Sequence, residues 1–305
     1  MDAPAWFKGA LAAPVEQGFV EVEGCPIHTL RWGERGRPGL LLVHGGAAHA
    51  QWWSFLAPLL AAQGPWHYDV LALDLSGHGE SGRRERYHTT IWAREVVAAA
   101  ADARFPGPPV VIGHSMGGMV AIVAAALFGE QLAGAIIVDS PVRRQSPETE
   151  EAKQGRSFKQ PGVYPDAATA QRHFRLIPAQ PCANDFILEH IARTSLKQTS
   201  EGWTWKFDPR VFADLSQDEM SDHLRGVRCR VALLRGEFST VVPPETADYM
   251  FELLDRAAPV VEIPQAYHHL LLDQPLAFVA AVRALLADWD HSVPRRERPA
   301  APPAR

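Results

Sequence analysis

The sequence predicts one large α/β domain: a mostly parallel, eight-stranded sheet flanked by helices and interrupted by one inserted helical lid. Short apolar, β-branched runs bounded by Gly or Pro recur along the chain, with longer alanine-rich segments between them. That alternation is the pattern of parallel strands joined by crossover helices. It stops between Pro141 and about Gly226, which marks an insertion. A chain of 305 residues, 47% of them hydrophobic, has enough apolar material to bury one sizeable core.

In order, the candidate strands are GFVEVEG, CPIHTLRW, GLLLVHG, YDVLALDL, PVVIGHS, GAIIVDS, RVALLRG and PVVEIP. Candidate helices lie near residues 51–62, 89–104, 116–128, 244–256 and 275–289, and in the last, LAFVAAVRALLADW, apolar residues recur at helical spacing. Within the insertion, ETEEAKQG is highly charged, while YPDAATAQRHFRLIPAQP and DFILEHIARTSL read as short helices. The chain thus divides into a first core part (1–140), a lid (141–226), a second core part (227–290) and a tail (291–305). The tail, HSVPRRERPAAPPAR, is rich in Pro, Ala and Arg with nothing to bury, and is predicted to be disordered.

With 30 Lys+Arg against 35 Asp+Glu, the chain carries no basic field for a phosphate backbone, so nucleic acid is excluded as a partner. Cys25, Cys182 and Cys229 are odd in number and far apart, which fits neither a disulfide framework nor a CxxC metal site. No HExxH and no His/Cys/carboxylate cluster at ligand spacing appears among the 13 histidines, so no metal is expected. The start, MDAPAWFKGALAAPVEQGF, lacks the basic region and sustained apolar run of a secretory signal. The longest apolar run, Met119–Phe128, is too short to span a bilayer. A cytoplasmic protein acting on a small molecule, without a membrane partner, is the expectation; nothing in the composition fixes an oligomeric state.

PVVIGHSMGG places Gly-x-Ser-x-Gly directly after an apolar strand and before the helix VAIVAAALF, the context a nucleophile elbow requires. Gly113 and Gly117 flank Ser115 because the turn is sharp and neighbouring backbone must pass close by. The helix starting there aims amides at a developing oxyanion, which makes the Met116 N–H a natural donor.

In these residues the sequence resembles the α/β-hydrolase family, in its esterase-like branch with GHSMGG, over nearly the whole chain outside the lid and tail. The resemblance implies that LLLVHGGAAHAQWW is the oxyanion loop after the third strand and that Gly46 supplies the second N–H. Gly77, Gly79 and Gly82 form a formal GxGxxG, but RRERYH follows where a dinucleotide site needs an apolar helix. The resemblance makes Asp74–Ser81 a structural turn near the active site, and no cofactor is expected. PQAYHHLLLDQP lies where the family carries its histidine, and its Gly-His-His version aligns with His268, with Tyr267 in place of the glycine. His269 is expected to point elsewhere, and His114 to be buried support.

The acid is less direct. The family most often places it after the seventh strand, and in RGEFST that position is Ser239. Two carboxylates remain, Glu237 in the same loop and Asp139 at the end of the sixth strand. Asp139 keeps the chain order Ser115, Asp139, His268, and in an open parallel sheet the strand ends beside the elbow face the ligand. It is the favoured acid, with Glu237 as rival and a turn-capping role as its structural alternative.

Together these residues point to acyl transfer to water on a small to medium, largely apolar ester or lactone. In GWTWKFDP, Trp203, Trp205 and Phe207 alternate and can share a face; with Trp52 and Trp53 they form a candidate wall for an apolar substrate pocket, or else the core of the lid. A carbon–carbon bond hydrolase acting on dienoate diketones uses the same triad, but no clear carboxylate-binding arginine set supports it. A non-catalytic small-molecule receptor fits the missing strand-seven acid, but the intact Ser115 and His268 oppose it.

Overall fold

The computed structural model describes residues 3–62, 67–144, 161–213 and 220–291. The tail beyond residue 291 and the charged stretch within 145–160 lie outside the described residues. His291 closes the last helix.

The core sheet comprises β1 (Glu16–Val22), β2 (Cys25–Trp32), β3 (Gly39–Val43), β4 (Asp69–Leu73), β5 (Val110–His114), β6 (Gly134–Val138), β9 (Arg230–Gly236) and β10 (Val260–Ile263). Their order is β1-β2-β4-β3-β5-β6-β9-β10. The first two strands pair antiparallel and β2 meets β4 antiparallel, while every later pairing is parallel. The central strands β3, β5 and β6 are buried at every position, as expected for apolar runs covered on both faces. Edge strand β1 instead alternates toward solvent.

Helices cover both faces. On one side α3 (Thr89–Ala103), α4 (Met116–Phe128), α7 (Met220–Arg225) and α8 (Pro244–Leu253) share an apolar cluster with the sheet; on the other lie α1 (Ala5–Leu11), α2 (Ala57–Ala61) and α10 (Pro275–His291). Helix α4 is apolar all round, which suits its place between the sheet and α3 and α7. The predicted helix over 51–62 is instead a 3-10 turn, Ala50–Trp53, followed by α2 with Pro58 in its first turn. Met220 and Leu224 of α7 are buried against the core, so the second core part starts before residue 227.

Among its described residues the insertion carries the helices α5 (Ala167–Arg172) and α6 (Asp185–Thr194), and also a hairpin, β7 (Leu196–Thr199) and β8 (Gly202–Trp205). The sequence expectation of a helical lid, with GWTWKFDP as an extended segment, did not include this hairpin. Its first strand, LKQT, lacks the apolar alternation that marks a strand, and only its pairing with GWTW makes it one. A short helix α9 (Leu270–Asp273) sits between β10 and α10.

Candidate active site

Ser115 sits between β5 and α4 with φ 56°, in the left-handed region that a side chain rarely adopts. The elbow is tight on both sides. A Cβ on Gly113 would lie 2.2 Å from the Gly117 carbonyl oxygen, and one on Gly117 would lie 2.4 Å from the carbonyl oxygens of Val43 and His44. Met116 is the first residue of α4, so its N–H has no acceptor within the helix and faces the end where the dipole is positive. Gly46 and Ser115 line one cavity.

His268 Nε2 lies 3.0 Å from Ser115 Oγ, and its Nδ1 lies 2.7 Å from Asp139 Oδ2. Asp139 and His268 are almost wholly buried. The second oxygen of Asp139 accepts the Gly236 N–H at 3.1 Å, and Oδ2 also accepts the Ser239 hydroxyl at 2.5 Å. Glu237 is exposed and accepts the Gln265 N–H, away from His268. The geometry therefore joins Ser115, His268 and Asp139 in one hydrogen-bond chain and leaves Glu237 outside it. The strand-end position explains why: β6 lies between β5, which carries the elbow, and β9.

Two more histidines hold the frame. His114 Nε2 donates to the His268 carbonyl at 2.9 Å and ties the elbow to the histidine loop. His44 Nδ1 donates to the Gly45 carbonyl at 2.7 Å, leaving Nε2 to accept the Leu75 N–H at 3.0 Å. Burial pushes the His114 imidazole down to about 3 and lowers that of His44, so both are neutral spacers at physiological pH. His269 stands outside this hydrogen-bond chain and lines the cavity, and burial pushes it well below its ordinary value.

His114, His268 and His269 offer three imidazole nitrogens within 4.8 Å of one another, a grouping that no sequence spacing foretells. Both nitrogens of His268 are taken up by Asp139 and Ser115, and His114 Nε2 by the His268 carbonyl. The hydrogen-bond chain thus occupies His268 and one nitrogen of His114, and His269 stands outside it.

Asp74 anchors the neighbouring turn. Its carboxylate accepts the Ala50 N–H at 2.6 Å, the Glu80 N–H at 2.9 Å and His28 Nδ1 at 2.8 Å. Burial opposes its ionisation, but the His28 bond and the nearby imidazoles hold its carboxyl below the usual range. A Cβ on Gly79 would meet this carboxylate at 2.1 Å, so the glycine serves the turn.

The cavity above Ser115 encloses about 280 Å³. Trp52, Phe174, Trp205 and Phe207 supply its apolar walls, with His173 and Arg175 among the polar residues that line it. Two of the predicted substrate residues stand elsewhere. Trp53 is buried in the core, 6.1 Å from the Phe278 ring, because successive residues of a 3-10 turn point about 120° apart and cannot share a face with Trp52. Trp203 lies one alternation beyond Trp205, roughly 7 Å further toward the hairpin turn, where its backbone pairs with Tyr164. Trp205 and Phe207 thus line the cavity and Trp203 does not.

The insertion is pinned over this cavity by contacts the sequence did not reveal. His49 Nε2 donates to Ser195 Oγ at 2.8 Å, and His190 Nε2 to Ser54 Oγ at 2.8 Å, linking α6 and its C-terminus to the loop after β3. Gln180 and Asn184 bond to Asp273 and to the Leu272 carbonyl beside the histidine loop. Gly79 N–H to the Lys206 carbonyl and Asp208 N–H to the Gly77 carbonyl join the far end of the hairpin to the Asp74 turn.

The model of the alpha/beta hydrolase family matches residues 40–282. Esterase Rv0045c of Mycobacterium tuberculosis is 25% identical over 87% of this chain and 88% of that protein. Among solved structures, E-2-(acetamidomethylene)succinate hydrolase superposes with a TM-score of 0.76 at 20% identity, covering 90% of this chain and 100% of that one. The thioesterase domain from the curacin biosynthetic pathway does so with a TM-score of 0.73 at 24% identity, covering 90% and 99%. These two solved structures share the fold.

Proposed function

Because the chain belongs to the alpha/beta hydrolase family, we propose that it is a serine hydrolase cleaving a small to medium, largely apolar carboxylic ester or lactone through an acyl-enzyme intermediate. The observation that carries this reading is the unbroken hydrogen-bond chain from Ser115 through His268 to Asp139 at the edge of an apolar cavity. His268 takes the Ser115 proton as Oγ attacks the carbonyl carbon. Negative charge then develops on the carbonyl oxygen, and the N–H groups of Gly46 and Met116 receive it. Collapse expels the alcohol, which leaves with the proton from His268. Water attacks the acyl-enzyme with His268 again as base, and Ser115 is regenerated with release of the acid. Asp139 holds the imidazole in the tautomer that presents Nε2 to Ser115. The chemistry requires no cofactor.

Trp52, Phe174, Trp205 and Phe207 favour apolar groups next to the reacting carbonyl, and Arg175 brings a cation to the cavity. A chain-length series of p-nitrophenyl esters and a set of lactones, assayed on the purified chain, tests the reading. Turnover with an optimum at short or medium chains is the expected result; no turnover of any member, with turnover of a coloured dienoate diketone, would replace it with carbon–carbon bond hydrolysis.

A further inference from the structure

The turn after β9 holds a serine whose surroundings leave its proton one destination. Ser239 is 5% exposed. Its Oγ accepts the N–H groups of Val241 and Val242, each at 3.2 Å. A hydroxyl has two lone pairs and one proton. With two amides aimed at the lone pairs, the proton is left for Asp139 Oδ2, 2.5 Å away. That same oxygen accepts His268 Nδ1 at 2.7 Å, while Oδ1 takes the Gly236 N–H at 3.1 Å. Asp139 itself is held at φ 47°, a backbone conformation that persists only when its surroundings over-determine it.

We propose that Ser239 is a positioning residue for the reaction: fixed by the Val241 and Val242 amides, it orients the Asp139 carboxylate and helps neutralise its charge, so that Oδ2 stays aligned on His268. The inference rests on the serine-hydrolase reading.

The test uses the full chain and two readouts, the second-order rate of Ser115 labelling by a fluorophosphonate and the kinetics of an ester that the wild type turns over. Ser239→Ala is expected to lower both the labelling rate and kcat roughly tenfold with KM within about twofold, since orientation acts on the reacting step and not on binding. Ser239→Thr, which keeps the hydroxyl, is expected to recover most of the loss. Circular dichroism and melting temperature establish that each variant is folded. Wild-type kcat in Ser239→Ala, or Thr no better than Ala, would overturn the proposal. A wild type that neither labels nor turns over any ester would defeat the serine-hydrolase reading, and this inference with it. Normal wild-type activity with unaffected variants would defeat this inference alone.

Discussion

At the scale of single residues, the carboxylate that serves His268 decides how the site works. Asp139 Oδ2 is 2.7 Å from His268 Nδ1, whereas Glu237 is exposed and bonded to the Gln265 amide. Asp139→Asn is therefore expected to lower kcat by about 10³ to 10⁴, because an amide favours the wrong imidazole tautomer. Glu237→Gln is expected to cost about tenfold or less, since a carboxylate not bonded to the histidine adds only to the local field. The two are compared at matched folding, and the reverse ranking would return the acid to the β9 turn. The meeting of Ser115, His268 and Asp139 was legible in the sequence: Ser115 from its strand–turn–helix context, His268 from the family resemblance, and Asp139 from its place at the strand end beside the elbow strand. Ser239 was legible only as a missing acid. Its bond to Asp139 joins two strand ends that are neighbours in the sheet but 100 residues apart in the chain.

At the scale of elements, the eight core strands were visible because apolar β-branched runs between Gly and Pro announce themselves, and all eight appear in the sheet. The insertion was less readable. Its hairpin depends on cross-strand pairing between LKQT and GWTW, and its seat on the core depends on His–Ser bonds between distant segments. Tertiary contacts of this kind leave no periodic trace. Among the described residues, the insertion also brings the one Lys or Arg that lines the cavity. Arg175 Nη1 donates to the carbonyls of Arg172 and Phe174, and no Asp or Glu lines the cavity among the described residues. A carboxylate on the substrate is thus expected to gain from Arg175 in a way that a neutral isostere does not. Comparison of p-nitrophenyl hemiglutarate with its methyl ester checks this. The wild-type ratio of kcat/KM, anionic over neutral, is expected to fall about tenfold in Arg175→Gln and to be largely kept in Arg175→Lys. An unchanged ratio in Arg175→Gln would show that the guanidinium does not meet the substrate.

At the scale of the whole molecule, neutral histidines are built into the interior around the site. Burial pushes His49, His78 and His114 to about 3, and His190 to about 4, from an ordinary value of 6.5. The unfolded chain takes up protons on these rings as pH drops below about 6.5, while the folded chain does not. The stability they contribute is complete above that value and is lost progressively as pH falls toward 3, by ~1.4 kcal/mol per pH unit for each ring. Carboxylates act lower. Burial opposes the ionisation of Asp208, but the Arg210 bonds hold it at about 2, so its contribution is lost only below about pH 4. The melting temperature is therefore expected to fall by ~5 °C or more between pH 7 and pH 5. A flat profile across that window would mean that the buried rings take up protons without unfolding.

The same interior keeps the site rigid, with His114 tying the elbow to the histidine loop and Asp74 tying the strand-four turn to the Ala50 amide. Among the described residues no helix is long and apolar enough to cross a membrane. The proposed serine nucleophile is tested most directly by covalent labelling of the purified chain with a fluorophosphonate, read by intact mass and then by peptide mapping. A single adduct on Ser115, slowed sharply by Asp139→Asn, is expected. No adduct, or an adduct mapped to another serine, would contradict it.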